Sequence, residues 1–223
     1  MAKNNIRLDI LTTAQRHFYE KGYEGTIFSD IASDLGITKG LITYYFKTKC
    51  NLANEVMIQY VGHINQSTHD YFAKHSGFSA SVDEIISMVV TFVNVFSYEK
   101  DPKTLRFYCE FMYKNLQYAI ENTPVKLYER LAQSFKKEIV GDTAKLRSYM
   151  LKARSATAAL ELAYWHTKTL ELTREEYIDS IIFIKYQLLD VSPENCRALY
   201  DEAYEIYKRM KITVIPEFRL KIE

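Results

Sequence analysis

The sequence predicts an all-α protein, and two observations carry that prediction. Only 7 Gly and 4 Pro occur in 223 residues, which leaves little of the turn chemistry that a sheet protein needs between its strands. Apolar residues recur at intervals of three and four, the spacing of a helix face, rather than in alternation. A hydrophobic content of 48% is ample for a core at this length. The pattern divides the chain into a small unit of three short helices over residues 1–48 and a larger helical unit over residues 49–223.

Taken in order, Ile6, Ile10, Leu11, Ala14 and Phe18 share one face of a first helix, which Gly22 and Gly25 close off. Thr26 suits the cap of a second helix, with Asp30 in its first turn and Phe28, Ile31, Ala32 and Leu35 turned inward. Gly36 ends that helix where a positive φ is wanted, and the Thr38 hydroxyl can cap a third. Thr48 opens a fourth, carrying Leu52, Val56, Tyr60, Ile64 and Tyr71 on its buried side and running to about His75. Gly77 and Ser79 mark a connection. Beyond it, Val82, Ile85, Ile86, Val89, Val90, Val93 and Phe96 are apolar on more than one face, as expected of a central helix.

Asp101-Pro102 opens a helix with Leu105, Phe107, Tyr108, Phe111, Met112 and Leu116, and Thr123-Pro124 opens another to about Val140. Gly141-Asp142 begins a long one that contains the small residues Ser155 to Ala159 and then Tyr164-Trp165-His166. Thr173 and Glu176 form a capping box for a helix through Leu189, and Ser192-Pro193 begins a last helix to about Lys211. The tail 212–223 holds Pro216 and has no helical period, so no element is assigned to it.

The stretch Leu35 to Lys49 reads as the turn and second helix of a helix-turn-helix. Ile42 and Phe46, four apart, anchor one face inward and leave Lys39, Gly40, Leu41, Thr43, Tyr44 and Tyr45 outward. Two adjacent tyrosines and a lysine suit a surface that meets phosphates and base edges. No acidic residue lies between Asp34 and Glu55, whereas Lys39, Lys47 and Lys49 do, so the local field is positive. Lys39, near the start of the third helix, is placed to enter a major groove. Lys49 at the start of the fourth is placed for a phosphate, and Thr26, Ser29 and Thr38 are further candidates for the DNA backbone.

A net charge of +1 excludes binding by bulk electrostatics, so nucleic-acid affinity must come from that patch. Cys50, Cys109 and Cys196 are odd in number and lack ligand-like spacing, so they read as reduced thiols, with no metal and no cofactor expected. Met1 to Arg7 precede no apolar leader, and the most apolar run, Ile85 to Phe96, is too short and too interrupted to span a bilayer. A soluble cytoplasmic protein is expected. No nucleophile elbow, zinc-protease, phosphate-loop or dinucleotide motif occurs, so no catalytic residue and no enzyme activity are expected.

The first 50 to 60 residues resemble the TetR family of bacterial transcriptional regulators. Ala14, Phe18 and Lys21-Gly22-Tyr23 look like the end of that family's first helix, and Thr26 with Asp30-Ile31-Ala32 like its second. Leu35 to Gly40 look like its turn; Tyr44, Phe46, Lys47, Thr48, Lys49 and Leu52 look like its passage into the fourth helix. Thr43 departs from a frequent tyrosine, and Leu41 from a small or hydroxylated residue; Leu41 can pack on a thymine methyl. The resemblance implies a homodimer on a pseudo-palindromic double-stranded operator, most often a repressor, whose larger domain binds a small organic molecule.

Candidates for that ligand are the aromatic set Tyr60, Tyr71, Phe92, Phe96, Phe107, Tyr108, Phe111, Tyr164 and Trp165, with His63 and His166 as polar anchors. Ordinary core packing is the competing reading of each. Ser155 to Ala159, together with the helix from Thr173, form the expected two-fold four-helix interface. An alternative function is a DNA-localised interaction protein whose carboxy-terminal helices bind another protein rather than a small molecule.

Overall fold

The computed structural model describes residues 3–75, 82–124 and 142–223. Among them run α1 (Lys3–Gly25), α2 (Phe28–Leu35), α3 (Lys39–Tyr45), α4 (Lys49–Lys74), α5 (Val82–Lys100), α6 (Pro102–Glu121), α7 (Thr143–Trp165), α8 (Arg174–Gln187) and α9 (Pro193–Arg209). A hairpin of β1 (Ile212–Ile215) and β2 (Arg219–Ile222) follows. The fold is therefore all-α with one two-stranded addition. The Gly77–Ser79 connection and nearly all of the helix expected up to Val140 lie outside the described residues.

In the head, Ile10, Leu11, Ala14 and Phe18 of α1 are buried together with Ile31 and Ala32 of α2, Ile42 of α3 and the adjoining Phe46. α1 breaks at Gly22, where φ is 76°. Here the backbone passes the Glu110 carboxylate of α6, which accepts the Glu24 amide at 2.9 Å, and a Cβ on Gly22 would collide with it. Gly36 closes α2 at φ 63°, donating to the Ser33 carbonyl, while the Ile37 amide reaches back to Ala32. Thr38 caps α3 by accepting the Leu41 amide at 3.3 Å, and Thr48 with Asn51 boxes the start of α4. Thr26 does not cap α2, whose cap position is Ile27. Its side chain is fully buried and donates to the Gly22 carbonyl at 2.7 Å, satisfying an acceptor that the break in α1 leaves over.

α4 runs from head to body without interruption, burying Leu52, Val56, Tyr60, Ile64 and Tyr71 as the spacing predicts. α5 is the central helix of the body, with Ile85, Met88, Val89, Phe92 and Val93 fully buried. Asp101 caps α6, Asp142 caps α7, Thr173 and Glu176 box α8, and Ser192 caps α9. Two charged residues of α8 reach across to neighbouring helices. Arg174 pairs with Glu99 of α5 at 2.8 Å, and Asp179 with Arg197 of α9 at 2.9 Å, so both cross-link helices.

α6 joins the body to the head. Phe107 packs on Phe18 with ring centroids 4.9 Å apart, Lys103 pairs with Glu20, and Lys114 with Glu24. The tail hairpin is the second join. Its strands pair antiparallel, Ile212 opposite Ile222, around a tip where Glu217 and Phe218 both have positive φ. An aromatic residue at φ 59° is strained, and Phe218 is held there by burial against Tyr19 of α1, Tyr60 of α4 and Phe107 of α6. The Gln15 amide group donates to the Glu217 carbonyl at 2.8 Å.

Candidate functional site

Two places in the fold concentrate chemistry: the outer face of α3 and a cavity in the body. On α3, Lys39, Gly40, Thr43 and Tyr44 are exposed, Tyr44 to 69%, whereas Leu41 and Tyr45 are half-buried. The Tyr44 and Tyr45 rings meet edge-on at 5.1 Å, which stiffens the pair. The Thr43 hydroxyl donates to the Lys39 carbonyl of its own helix at 3.1 Å. Ser29 and Thr38 are exposed beside this face.

The flanking carboxylates are neutralised from α1. Lys21 holds Asp30, Arg16 and His17 hold Asp34, and Arg7 holds Glu55 while lying over the Phe46 ring. Among the described residues, Lys39 and Lys47 form no ion pair, so their charge faces outward. Lys49 behaves otherwise. Its ammonium donates to the Tyr23, Thr26 and Glu24 carbonyls at 2.9, 3.1 and 3.4 Å and sits over the Tyr23 ring at 4.5 Å. The break in α1 leaves those carbonyls unpaired within the helix. Lys49 therefore braces α1 against α4 in this structure, and Thr26, expected beside the DNA backbone, is fully buried.

The cavity, of about 170 Å³, lies between α4, α5, α6, α7 and α8. Met57, Ile58 and Val61 of α4, Val95 of α5 and Phe111 of α6 give it an apolar side. Across from them stand Arg154 and Glu161 of α7 and Lys185 of α8. Arg154 pairs with Glu161 at 2.8 Å and donates to the Tyr108 hydroxyl at 3.1 Å; that hydroxyl in turn donates to Glu161. Burial pushes the Tyr108, Tyr98 and Tyr177 phenols well up, so they stay protonated donors at neutral pH. Lys185 donates to the Thr91 hydroxyl at 3.2 Å, and burial lowers its ammonium to about 8.

Comparison with known proteins gives a consistent answer. The family model described as bacterial regulatory proteins, tetR family, matches residues 10–56, which span α1, α2, α3 and the first turns of α4. The helix-turn-helix segment of this chain is therefore similar to that of TetR-family regulators. It is 31% identical over 91 residues to the HTH-type transcriptional regulator TtgR of Pseudomonas putida, covering 41% of each chain. With the HTH-type transcriptional regulator AcrR of Shigella flexneri it shares 30% over 134 residues, 58% of this chain and 62% of that one. The chain thus spans less than two thirds of the curated relatives it matches. A solved structure described as a TetR-family transcriptional regulator, from Mesorhizobium loti, aligns with TM-score 0.44 at 15% identity, covering 85% of this chain and 98% of that one. A second, from Shewanella, aligns with TM-score 0.38 at 15% identity, covering 90% and 96%.

In the larger helical unit, the candidate ligand residues divide sharply. Tyr108 and Phe111 line the cavity; Tyr60, His63, Phe92, Phe96, Phe107, Tyr164 and Trp165 do not. Tyr60 is buried with its hydroxyl on Ser97, and Phe107 is packed beneath Phe18 and Phe218. His63 meets the Leu220 backbone of the hairpin at 2.9 Å and so staples the tail. Phe92 packs on Tyr200, Tyr204 and Tyr207 of α9, while Phe96 stands under the Lys100 ammonium. Tyr164 stacks on Tyr177 at 4.0 Å, and the Trp165 indole donates to the Tyr177 hydroxyl. Tyr71 and His166 are also off the cavity, stacked on His75 and set against Tyr113. Most of these rings find an aromatic or polar partner on a neighbouring element, while Phe96 and Tyr71 meet theirs within or at the end of their own helix.

The cavity residues that sequence reasoning missed are mostly polar: Asn54, Thr91, Asn94, Arg154, Glu161 and Lys185. One signal was available, since Tyr177, Ile181 and Lys185 recur every four residues and place a lysine on an otherwise inward face. No helix among the described residues is long and apolar enough to cross a membrane, and no cluster of metal-ligating side chains occurs among them. Cys109 and Cys196 are buried thiols pushed up to about 12 and about 11.

Proposed function

We propose that the protein is a cytoplasmic, sequence-specific DNA-binding transcriptional regulator, a homodimeric repressor released from its operator by a small organic molecule held in the cavity. The observation that carries this reading is the outer face of α3, where Lys39, Lys47 and Tyr44 project while every flanking carboxylate is paired with α1. A short helix presenting cations and aromatic edges without a cancelling field is suited to a major groove. In a two-fold dimer, half-sites are read roughly 34 to 36 Å apart. Ser155, Ala156 and Ala159 leave an exposed small-residue strip on α7 that suits close approach of a second copy.

α6 supports the ligand-gated part of the reading, because Tyr108 and Phe111 line the cavity while Phe107 and Glu110 hold α1. A ligand that prefers one arrangement of α6 over another would shift the head by that difference in affinity. The test is selection of bound sequences from random or genomic DNA, followed by titration of the selected site. Recovery of a two-fold repeat with half-sites about one helical turn apart supports the reading; uniform affinity for all duplexes overturns it. A site that is bound yet unaffected by any small molecule would favour a protein partner for the body instead.

A further inference from the structure

Among the described residues, the charges that line the cavity do not balance. Arg154 and Glu161 satisfy one another and share the Tyr108 hydroxyl. Lys185 remains, and among the described residues no carboxylate forms an ion pair with it; the Thr91 hydroxyl accounts for one of its three donor hydrogens. A cation taken out of water without an anion is costly, and the cost is relieved when an anion arrives. Burial holds this ammonium near 8, so it still carries charge at neutral pH.

A second unsatisfied group lies on the same wall. The Asn94 amide oxygen is buried and has no hydrogen-bond partner among the described residues. Asn94 stands three residues along α5 from Thr91, hence about one helical turn from the group that Lys185 touches. A buried acceptor without a donor is the feature that a bound molecule's hydroxyl or N–H would complete.

We propose that the cavity takes a small organic monoanion, its acid group on Lys185 and a hydroxyl or N–H of its body on Asn94. The inference rests on the ligand-cavity reading above and names the class of ligand. The volume of about 170 Å³ is close to that of a cavity of about 150 Å³ that holds benzene, so the body is one ring or a short chain. Met57, Val61, Val95 and Phe111 give that body an apolar bed. A cationic ligand meets Lys185 and Arg154, and a dianion finds one uncommitted cation for two charges, so a single negative charge fits best.

The experiment is calorimetric titration of the full chain with benzoate, 3- and 4-hydroxybenzoate, neutral benzamide and cationic benzylamine. The acids should bind and benzylamine should not, and the better-placed hydroxyl isomer should gain up to about tenfold over benzoate. Lys185→Met should weaken benzoate by about tenfold or more and leave benzamide unchanged or tighter. Asn94→Leu should remove the advantage of the hydroxyl alone, and Lys185→Gln gives a second variant should the first fail to fold. Benzamide binding as well as benzoate, with Lys185→Met indifferent to charge, would overturn the anion class and leave the cavity as a ligand site. If none of the probes binds up to its solubility limit, the cavity reading itself falls and the proposal with it.

Discussion

The Phe111 ring lies edge-on to the Tyr23 ring, centroids 5.6 Å apart at 66°. Phe111 is also cavity wall, and the Tyr23 carbonyl is what the Lys49 ammonium holds. One aromatic contact therefore stands between the body's interior and the brace that sets α1 against α4.

Phe111→Leu should keep the fold, since it conserves most of the volume, and should mainly reduce the coupling between cavity and head. The measurement is operator affinity with and without saturating 4-hydroxybenzoate. The ratio of the two should fall in the variant while affinity without the acid changes little. An unchanged ratio would place the coupling elsewhere, with Phe107 and Phe18 next to examine.

The two lysines of the head should separate cleanly. Lys39→Ala should relax preference at one symmetric base position, costing about 1 to 3 kcal/mol per lost base contact. Lys49→Met should leave the salt dependence of DNA binding unaltered and instead destabilise the protein by about 1 to 2 kcal/mol, because three carbonyls lose a half-buried charged donor. Urea unfolding reads the second effect and titrations over a range of salt read the first. A salt slope lower by about 2 for a Lys49→Met dimer would return that residue to the phosphate role that its position in the sequence suggests.

Much of the head was legible because its signals are local. Gly36 and Thr38 act on atoms within four residues, and Ile42 and Phe46 need only the helical period to face inward. The partners of Lys49 and Thr26 were not legible for the converse reason: both answer carbonyls at or just beyond the end of α1, and no spacing in the sequence reveals a partner across two helices. The cavity was less legible because in this fold most rings find each other. Its polar wall comes from α5, α7 and α8, and only the fold brings those helices to one place.

Lys185 gives a pH-dependent test. Its folded value of about 8 lies below the ordinary 10.5, so between these values the native state binds fewer protons than the unfolded chain. Stability from this group therefore rises with pH across that window, and below pH 8 the full cost of burying the charge is present. Lys185→Met should be more stable than the parent at pH 7 by on the order of 1–3 kcal/mol, an advantage that shrinks from pH 8 toward 10. Glu161 and Arg154 of α7, Tyr108 of α6, Tyr98 of α5 and Tyr177 of α8 surround the same cavity and are unchanged in the variant. Unfolding curves at each pH check this; an advantage that grew with pH would contradict it.

Phe218→Ala should cost about 3 kcal/mol, the loss of a buried ring set partly against relief of its positive φ. Hydrogen exchange should quicken in α1 around Gln15 and Tyr19, which the hairpin tip touches, before it quickens in α5. Equal acceleration everywhere would mean that the tip merely adds global stability.

The position of that tip in the sequence gives it a further meaning during synthesis. The head is complete once α4 has begun, yet the ring that wedges between α1, α4 and α6 belongs to residue 218. At translation rates of about 5–20 residues per second, the interval is on the order of ten seconds. Throughout it α4 and α6 hold the head to the body without that wedge. A chain cut short before β2 would carry the recognition helix on a head that lacks the Phe218 wedge between α1, α4 and α6.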